Sequence, residues 1–235
     1  EGLIDWEDIE DRVRAYHDLT GWETPEDYIQ ASLRQFLNTY SRDLLQSQDV
    51  YLEIWIEKDA LSSIFTRVAR PYTIPVVVCR GFSSVSFLND YKNRLKYYSE
   101  ERRPILLYFG DFDPSGVEML RAMITTLETE LKLTGVEFKR VALQREDITT
   151  YKLPHSPEAL KNTDTRAKKH VAEYGELAVE LDALSPVVLE EKIRHAIIQE
   201  LDMELFVEEK NMETTELERL ETLRLKVQEL VTEGV

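Results

Sequence analysis

Cysteine is almost absent: Cys79 is the single one in 235 residues. That excludes an internal disulfide and suits a reducing setting, so a cytoplasmic location is expected. Long apolar runs are missing too. None approaches the roughly 18–20 residues of a membrane-spanning helix, and no signal-peptide pattern is present, so no membrane partner is expected. The four histidines, His17, His155, His170 and His195, are scattered without metal-ligand spacing. They read as structural or exposed residues, with His155 and His170 as candidates to assist substrate binding. There is no Walker A loop, no Rossmann glycine pattern, no internal repeat and no low-complexity stretch. Positive charge is scarce as well: 29 Lys and Arg face 45 Asp and Glu, a net charge of −16. Lys and Arg usually drive nucleic-acid binding by neutralising phosphates, so this balance favours a solvated acidic protein unless a metal and a basic region supply the attraction.

An apolar share of 43% and a charged share of 31% support a core and a hydrated surface, and argue against a disordered chain. The acidic excess gathers near the ends, at residues 7–11 and 204–221. Basic clusters occupy the middle: Lys92, Arg94 and Lys96, then Arg102 and Arg103, Lys139 and Arg140, and residues 166–169. The first residue is Glu1 rather than Met, which gives the expectation that something functional lies upstream.

Hydrophobic spacing divides the chain into three parts. Residues 1–47 read as helical, with Ile9, Val13 and Tyr16 at helical spacing. A second start at Thr24-Pro25-Glu26 leads into Ile29, Leu33, Phe36, Leu37 and Tyr40. Residues 48–185 alternate between strand-like and helix-like runs. Strands are predicted over 50–56, 74–79, 104–109 and 136–143, and helices over 58–68, 84–98 and 114–131. Pro75 is tolerable only near the start of its strand. Such alternation implies an α/β fold with a parallel sheet flanked by helices. The polar stretch 144–165 reads as a long loop, 166–174 as a short helix and 177–181 as a fifth strand. Residues 186–235 read as amphipathic helices, with Leu189, Ile193, Ile197 and Leu201 on one face. The tail would pack on the sheet or form a homodimer.

Ligands of open parallel sheets bind beyond the carboxyl ends of the strands. Three acids stand at such ends: Glu57 after the run 51–56, and Asp111 and Asp113 after the run 105–110. Convergent carboxylates repel one another, and Mg²⁺, with Mn²⁺ as a substitute, removes that conflict while binding phosphate. Alternate residues after a strand can point the same way. Glu57 is a candidate acid or base if the aspartates raise its pKa. Each residue also has a plainer account. Asp113-Pro114 is a good helix N-cap followed by Pro at the first turn, and Glu57 could form an ion pair with Lys58 or Arg80.

Two of these segments resemble the Toprim domains of the topoisomerase VI A subunit and its meiotic double-strand-break relatives. Ile56-Glu57-Lys58-Asp59-Ala60-Leu61 is similar to their glutamate motif. Gly110-Asp111-Phe112-Asp113-Pro114-Ser115-Gly116 is similar to their Asp-x-Asp motif with its following Pro-x-Gly. Arg80-Gly81-Phe82-Ser83 resembles the turn between them, and Glu180-Leu181-Asp182-Ala183-Leu184 a late acidic segment. The likeness spans about residues 50–185. The whole chain, through Gly2-Leu3-Ile4-Asp5-Trp6 and Ile9-Glu10-Asp11-Arg12, also resembles an uncharacterised microbial and phage family with a winged helix upstream.

The resemblance implies Mg²⁺-dependent chemistry on nucleic acid, DNA above all, by nicking, cleavage or a topoisomerase-like reaction. It implies Glu57 as catalytic glutamate, a metal ligand or general acid or base, and Asp111 and Asp113 as the Mg²⁺ aspartates. Glu180 and Asp182 are candidates for a second metal, or a strand-end salt bridge. Lys58, Arg80 and Arg166 are separate candidates to contact phosphate. Type IIB topoisomerases need a nucleophilic tyrosine upstream, and Tyr16, Tyr28, Tyr40 and Tyr51 fall in core or surface patterns instead, so no covalent topoisomerase step is expected. Two rival readings remain open. A haloacid-dehalogenase-type phosphatase would use Asp111 as nucleophile, and a non-catalytic scaffold would use the helical tail for docking.

Overall fold

All seven residues of the strand β1, Val50–Ile56, are buried. That is the pattern of a central parallel strand covered on both faces. The computed structural model describes residues 21–79, 81, 84–98, 102–156, 160 and 165–233. Within them β1 pairs in parallel with β2 (Val76–Val78) and β3 (Arg103–Phe109), and β3 pairs in parallel with β4 (Glu137–Ala142). The order is β2-β1-β3-β4.

The helices, in chain order, are α1 (Pro25–Gln35), α2 (Ser62–Ala69), α3 (Val85–Tyr98), α4 (Pro114–Thr125), α5 (Arg145–Thr150), α6 (Thr165–Tyr174), α7 (Pro186–Glu200) and α8 (Met203–Glu233). Strand side chains alternate between two faces. Leu52, Ile54, Ile56, Ile105, Leu107 and Phe109 share one core with Phe65 and Val68 of α2 and Leu189, Ile193 and Ile197 of α7. Tyr51, Trp55, Leu106 and Tyr108 share another with Leu88, Tyr91 and Leu95 of α3 and Met119 and Met123 of α4. The result is a helix–sheet–helix sandwich, the parallel α/β architecture expected from the sequence. Among the described residues no helix is long and apolar enough to cross a membrane.

The chain divides into two compact units. Arg42–Thr214 contains the sheet. The other includes α1, capped by the Thr24 hydroxyl accepting from the Asp27 N–H at 3.1 Å, and the end of α8. In that second unit the Tyr40 hydroxyl donates to Glu216 at 2.5 Å.

Several expectations need correction. The stretch read as a long loop carries α5, started by a capping box in which Asp147 accepts from the Gln144 N–H at 2.9 Å. Pro154 and Pro157 lie beyond the end of α5 at Thr150, so the helix fits ahead of them. The expected fifth strand is one antiparallel bridge, Phe112 with Val179. Its backbone is claimed elsewhere: the Leu181 N–H goes to the Asp111 carboxylate, and Leu181–Ala183 is a 3₁₀ turn. The second strand shortens to three residues after Pro75. The first helix ends at Gln35, short of the apolar spacing, and Leu37 takes φ +62°. The pattern at Ile9, Val13 and Tyr16 lies outside the described residues.

Candidate active site

Register decides where the acids meet. Ile56 of β1 pairs with Phe109 of β3, so both strands end at one level. The Glu57 N–H donates to the Phe109 carbonyl at 3.0 Å. In return Glu57 Oε2 accepts from the Asp111 N–H at 3.1 Å, with the Tyr108 hydroxyl at 3.4 Å. Asp111 is 9% exposed, and its Oδ1 accepts from the Leu181 N–H at 2.7 Å. Asp113 caps α4, Oδ1 accepting from the Gly116 N–H at 2.7 Å. Glu57, Asp111 and Asp113 are therefore brought together at the carboxyl edge of the sheet. Cap and acidic-cluster member are one residue at Asp113, because the two roles use different oxygens.

Two glycines permit this approach. A Cβ at Gly110 would stand 2.6 Å from the Tyr108 hydroxyl and 2.7 Å from Glu57 Oε2. A Cβ at Gly116 would run into the Asp111 carbonyl and stand 3.1 Å from Glu57 Oε2. Gly116→Ala therefore reverses the usual sign. Alanine normally stabilises a helix by about 1 kcal/mol over glycine, but here the obstacle is backbone. We expect a loss of about 1–3 kcal/mol, read as a lower urea midpoint; a midpoint at or above wild type would contradict the crowding.

The electrostatics are those of crowded carboxylates. Burial pushes the Glu57 carboxyl up to about 7 from its ordinary 4.5; the Asp111 and Asp113 charges add to this, and the Asp111 N–H and Arg140 oppose it. Asp111 is also raised, by burial first, against the Leu181 N–H and Lys58. Burial, then Glu57, pushes the neighbouring Cys79 thiol up to about 12. Arg140 is a half-buried cation beside the site. Its guanidinium donates to the carbonyls of Leu143 at 2.8 Å, Gly110 at 3.1 Å and Gly116 at 3.4 Å, and to that of Asp111. It lies over the Tyr108 ring, 5.5 Å from the centroid. It thus clamps the turn that carries the aspartates. In the sequence Arg140 stands only as one member of a basic pair with Lys139. Its signal was register, since Arg140 pairs with Tyr108 near the end of β3.

The other candidates fall elsewhere. Lys58 Nζ donates to Glu180 at 2.7 Å and Asp182 at 2.9 Å, and lies 3.7 Å from Asp111. Burial lowers its pKa and those carboxylates more than restore it. Glu180 and Asp182 are thus the far side of a lysine bridge. Arg166 is half-buried in the first turn of α6, a helix that packs along α4. Its neighbour Lys169 pairs with Glu118 at 3.2 Å. Arg80 lies outside the described residues. His170 is buried, bonded to the Leu177 carbonyl at 2.7 Å and stacked near Phe112 and Tyr174, so it supports the Asp-x-Asp turn from behind. Tyr51 is buried with its hydroxyl on Glu53 at 2.6 Å.

Among the described residues no three acidic, histidine or cysteine side chains stand in an arrangement that holds a metal ion. The chemistry of the donor set nevertheless fits a hard cation. One oxygen of each carboxylate is taken by a backbone N–H, and among the described residues Glu57 Oε1, Asp111 Oδ2 and Asp113 Oδ2 make no hydrogen bond.

Fold and site together define a parallel α/β protein with an acidic cluster at the carboxyl ends of adjacent central strands. No family model and no curated protein matches the chain.

Proposed function

We propose that this is a Toprim-like protein that uses Mg²⁺, or Mn²⁺ in its place, to act on the phosphodiester backbone of nucleic acid, DNA first, by nicking or cleavage. One observation carries the reading. Glu57, pushed to about 7, shares a strand-end edge with Asp111 and Asp113. A carboxyl poised near neutrality is what general acid–base work requires, and all three acids keep their positions through backbone donors. Asp111 and Asp113 would hold the cation through their unbonded oxygens, which leaves Glu57 Oε1 for the attacking water. When bound, Mg²⁺ supplies charge neutralisation for the phosphate oxygens. Glu57 accepts or returns the proton of the attacking water at Oε1. Arg140 keeps the Gly110-Asp111 turn from shifting as charge builds.

The test uses supercoiled and linear DNA with Mg²⁺ or Mn²⁺, comparing wild type with Glu57→Gln and Asp111→Asn. Each variant is expected to lose about 100-fold or more in rate. Calorimetry should register weaker metal binding by Asp111→Asn. Equal cleavage by all three proteins, or metal binding indifferent to Asp111, would sink the assignment.

A further inference from the structure

The charge balance sets a problem: a chain of net charge −16 must attract a polyanion if it acts on one. Most of its central basic clusters are already neutralised. Arg94 is spent on Glu53, Arg102 on Asp43, Arg103 on Glu137, and Lys139 on Glu137 and Glu200. Arg140 is half-buried, with its guanidinium donating to backbone carbonyls. On α3, Lys92 and Lys96 lie one turn apart and carry no carboxylate partner among the described residues. Lys132 joins them from the segment that follows α4 and its π-helical turn Thr126–Glu130. These three line one cavity of about 450 Å³ with Pro104 and Gly135, at the amino ends of β3 and β4. No acidic side chain lines it. Three other cavities have Glu200, Glu191 or Glu216 in their lining beside the basic residues. Among the described residues none of the three ammonium groups has a carboxylate partner.

The cavity is also built rather than incidental. Lys92 Nζ donates to the Leu131 carbonyl at 2.5 Å, which ties α3 to the segment carrying Lys132. Lys132 and Gly135 both adopt left-handed backbone, at φ +54° and +83°, turning the chain sharply around the opening. Leu95 and Leu133 form an apolar floor. Three cations without a carboxylate partner line one small concavity and concentrate positive potential there, in a chain of net charge −16.

The geometry points to a docking site for a phosphate group between Lys92, Lys96 and Lys132, at the opposite end of the sheet from the carboxylates. A seven-residue strand separates the two by about 20 Å. The ligand chemistry is a phosphoryl oxyanion. Its source is taken to be the nucleic-acid backbone, and that choice rests on the phosphodiester chemistry proposed above; the cation arrangement does not.

Fluorescence anisotropy with labelled single-stranded and duplex oligonucleotides, between 50 and 200 mM salt, tests this (roughly the range over which phosphate contacts weaken most visibly). Lys92→Gln/Lys96→Gln/Lys132→Gln is compared with wild type. Lys96→Gln/Lys132→Gln, which keeps the Lys92 bond to Leu131, guards against misfolding. The triple variant is expected to bind about 10-fold or more weakly, and its salt slope on single strands to flatten by about 2, at roughly 0.7 per lost contact. Inorganic phosphate is titrated in parallel. Lysine-dependent binding of phosphate without oligonucleotide binding keeps the site and assigns it a small phosphate ligand. Binding of both probes unchanged in both variants overturns it. Glu57→Gln separates the two proposals: it should bind like wild type while failing to cleave. Cleavage lost in Glu57→Gln with lysine variants binding normally leaves only the carboxylate reading standing. The reverse pattern leaves only the lysine site.

Discussion

Glu53→Ala is expected to cost about 3–5 kcal/mol, the range for breaking a buried charge pair. Glu53 is fully buried, in the middle of an otherwise apolar strand. Its carboxylate accepts four hydrogen bonds: from the Tyr51 hydroxyl at 2.6 Å, Trp55 Nε1 at 2.8 Å, and Arg94 at 2.9 and 3.0 Å. Tyr51, Glu53 and Trp55 alternate along β1 and face α3, so one carboxylate ties the central strand to the helix above it. Removing it strands a tyrosine hydroxyl, an indole N–H and a guanidinium in a core where unpaired polar groups are expensive. Arg94 is 35% exposed and recovers part of its hydration, which holds the loss toward the lower end. Against a typical total stability of about 5–15 kcal/mol, even that is large. The urea midpoint should fall by about 1–2 M. Glu53→Leu with Arg94→Met, which removes both charges together, should recover much of the loss. A midpoint shift under about 0.3 M for Glu53→Ala would mean that the network contributes little.

That residue also marks where the sequence was hard to read. The run Val50–Ile56 was legible as a buried strand because six of its seven side chains are apolar or aromatic. Nothing in it distinguished Glu53, whose partner Arg94 lies 41 residues away. The sheet itself was legible, since all four observed strands begin and end within two residues of apolar runs bounded by turns. The acids at strand ends were legible for the same reason: a parallel sheet exposes its carboxyl edge, and Glu57 and Asp111 follow directly on the runs. What escaped was fixed by tertiary contact. Residues 177–181 carry a strand-like composition, yet the Asp111 carboxylate takes a backbone donor there that a strand would need. Lys58 looked free for phosphate until the turn at Glu180 brought two carboxylates to it. Arg140 is only a member of a basic cluster in the sequence, and its place by the acids comes from the register of β4 against β3. Polar side chains that bond across the fold leave no local periodicity, whereas apolar ones do.

Glu57→Gln is expected to stabilise the protein at pH 8 and, on the function proposed above, to lower the cleavage rate by about 100-fold or more. The sign follows from the proton balance. The folded carboxyl titrates at about 7 and the unfolded one at 4.5, so between those values the folded state binds more protons. Stability therefore falls as pH rises through that window, and the full cost of ionised Glu57 is present above it. At about 1.4 kcal/mol per pH unit the ceiling is about 3 kcal/mol, and solvent screening of a half-buried group reduces it. Glutamine keeps an oxygen for the Asp111 N–H and carries no charge toward Asp111 and Asp113. Its melting temperature should exceed that of wild type by about 2–6 °C at pH 8 and match it at pH 4.5, where the native carboxyl is already neutral. Saturating Mg²⁺ should close the gap by stabilising wild type more than the variant, since a cation between carboxylates favours their charged forms. A variant less stable than wild type at every pH would contradict the strained carboxylate. A residue that weakens its own fold and is needed for turnover is the pattern expected where stability has been traded for chemistry.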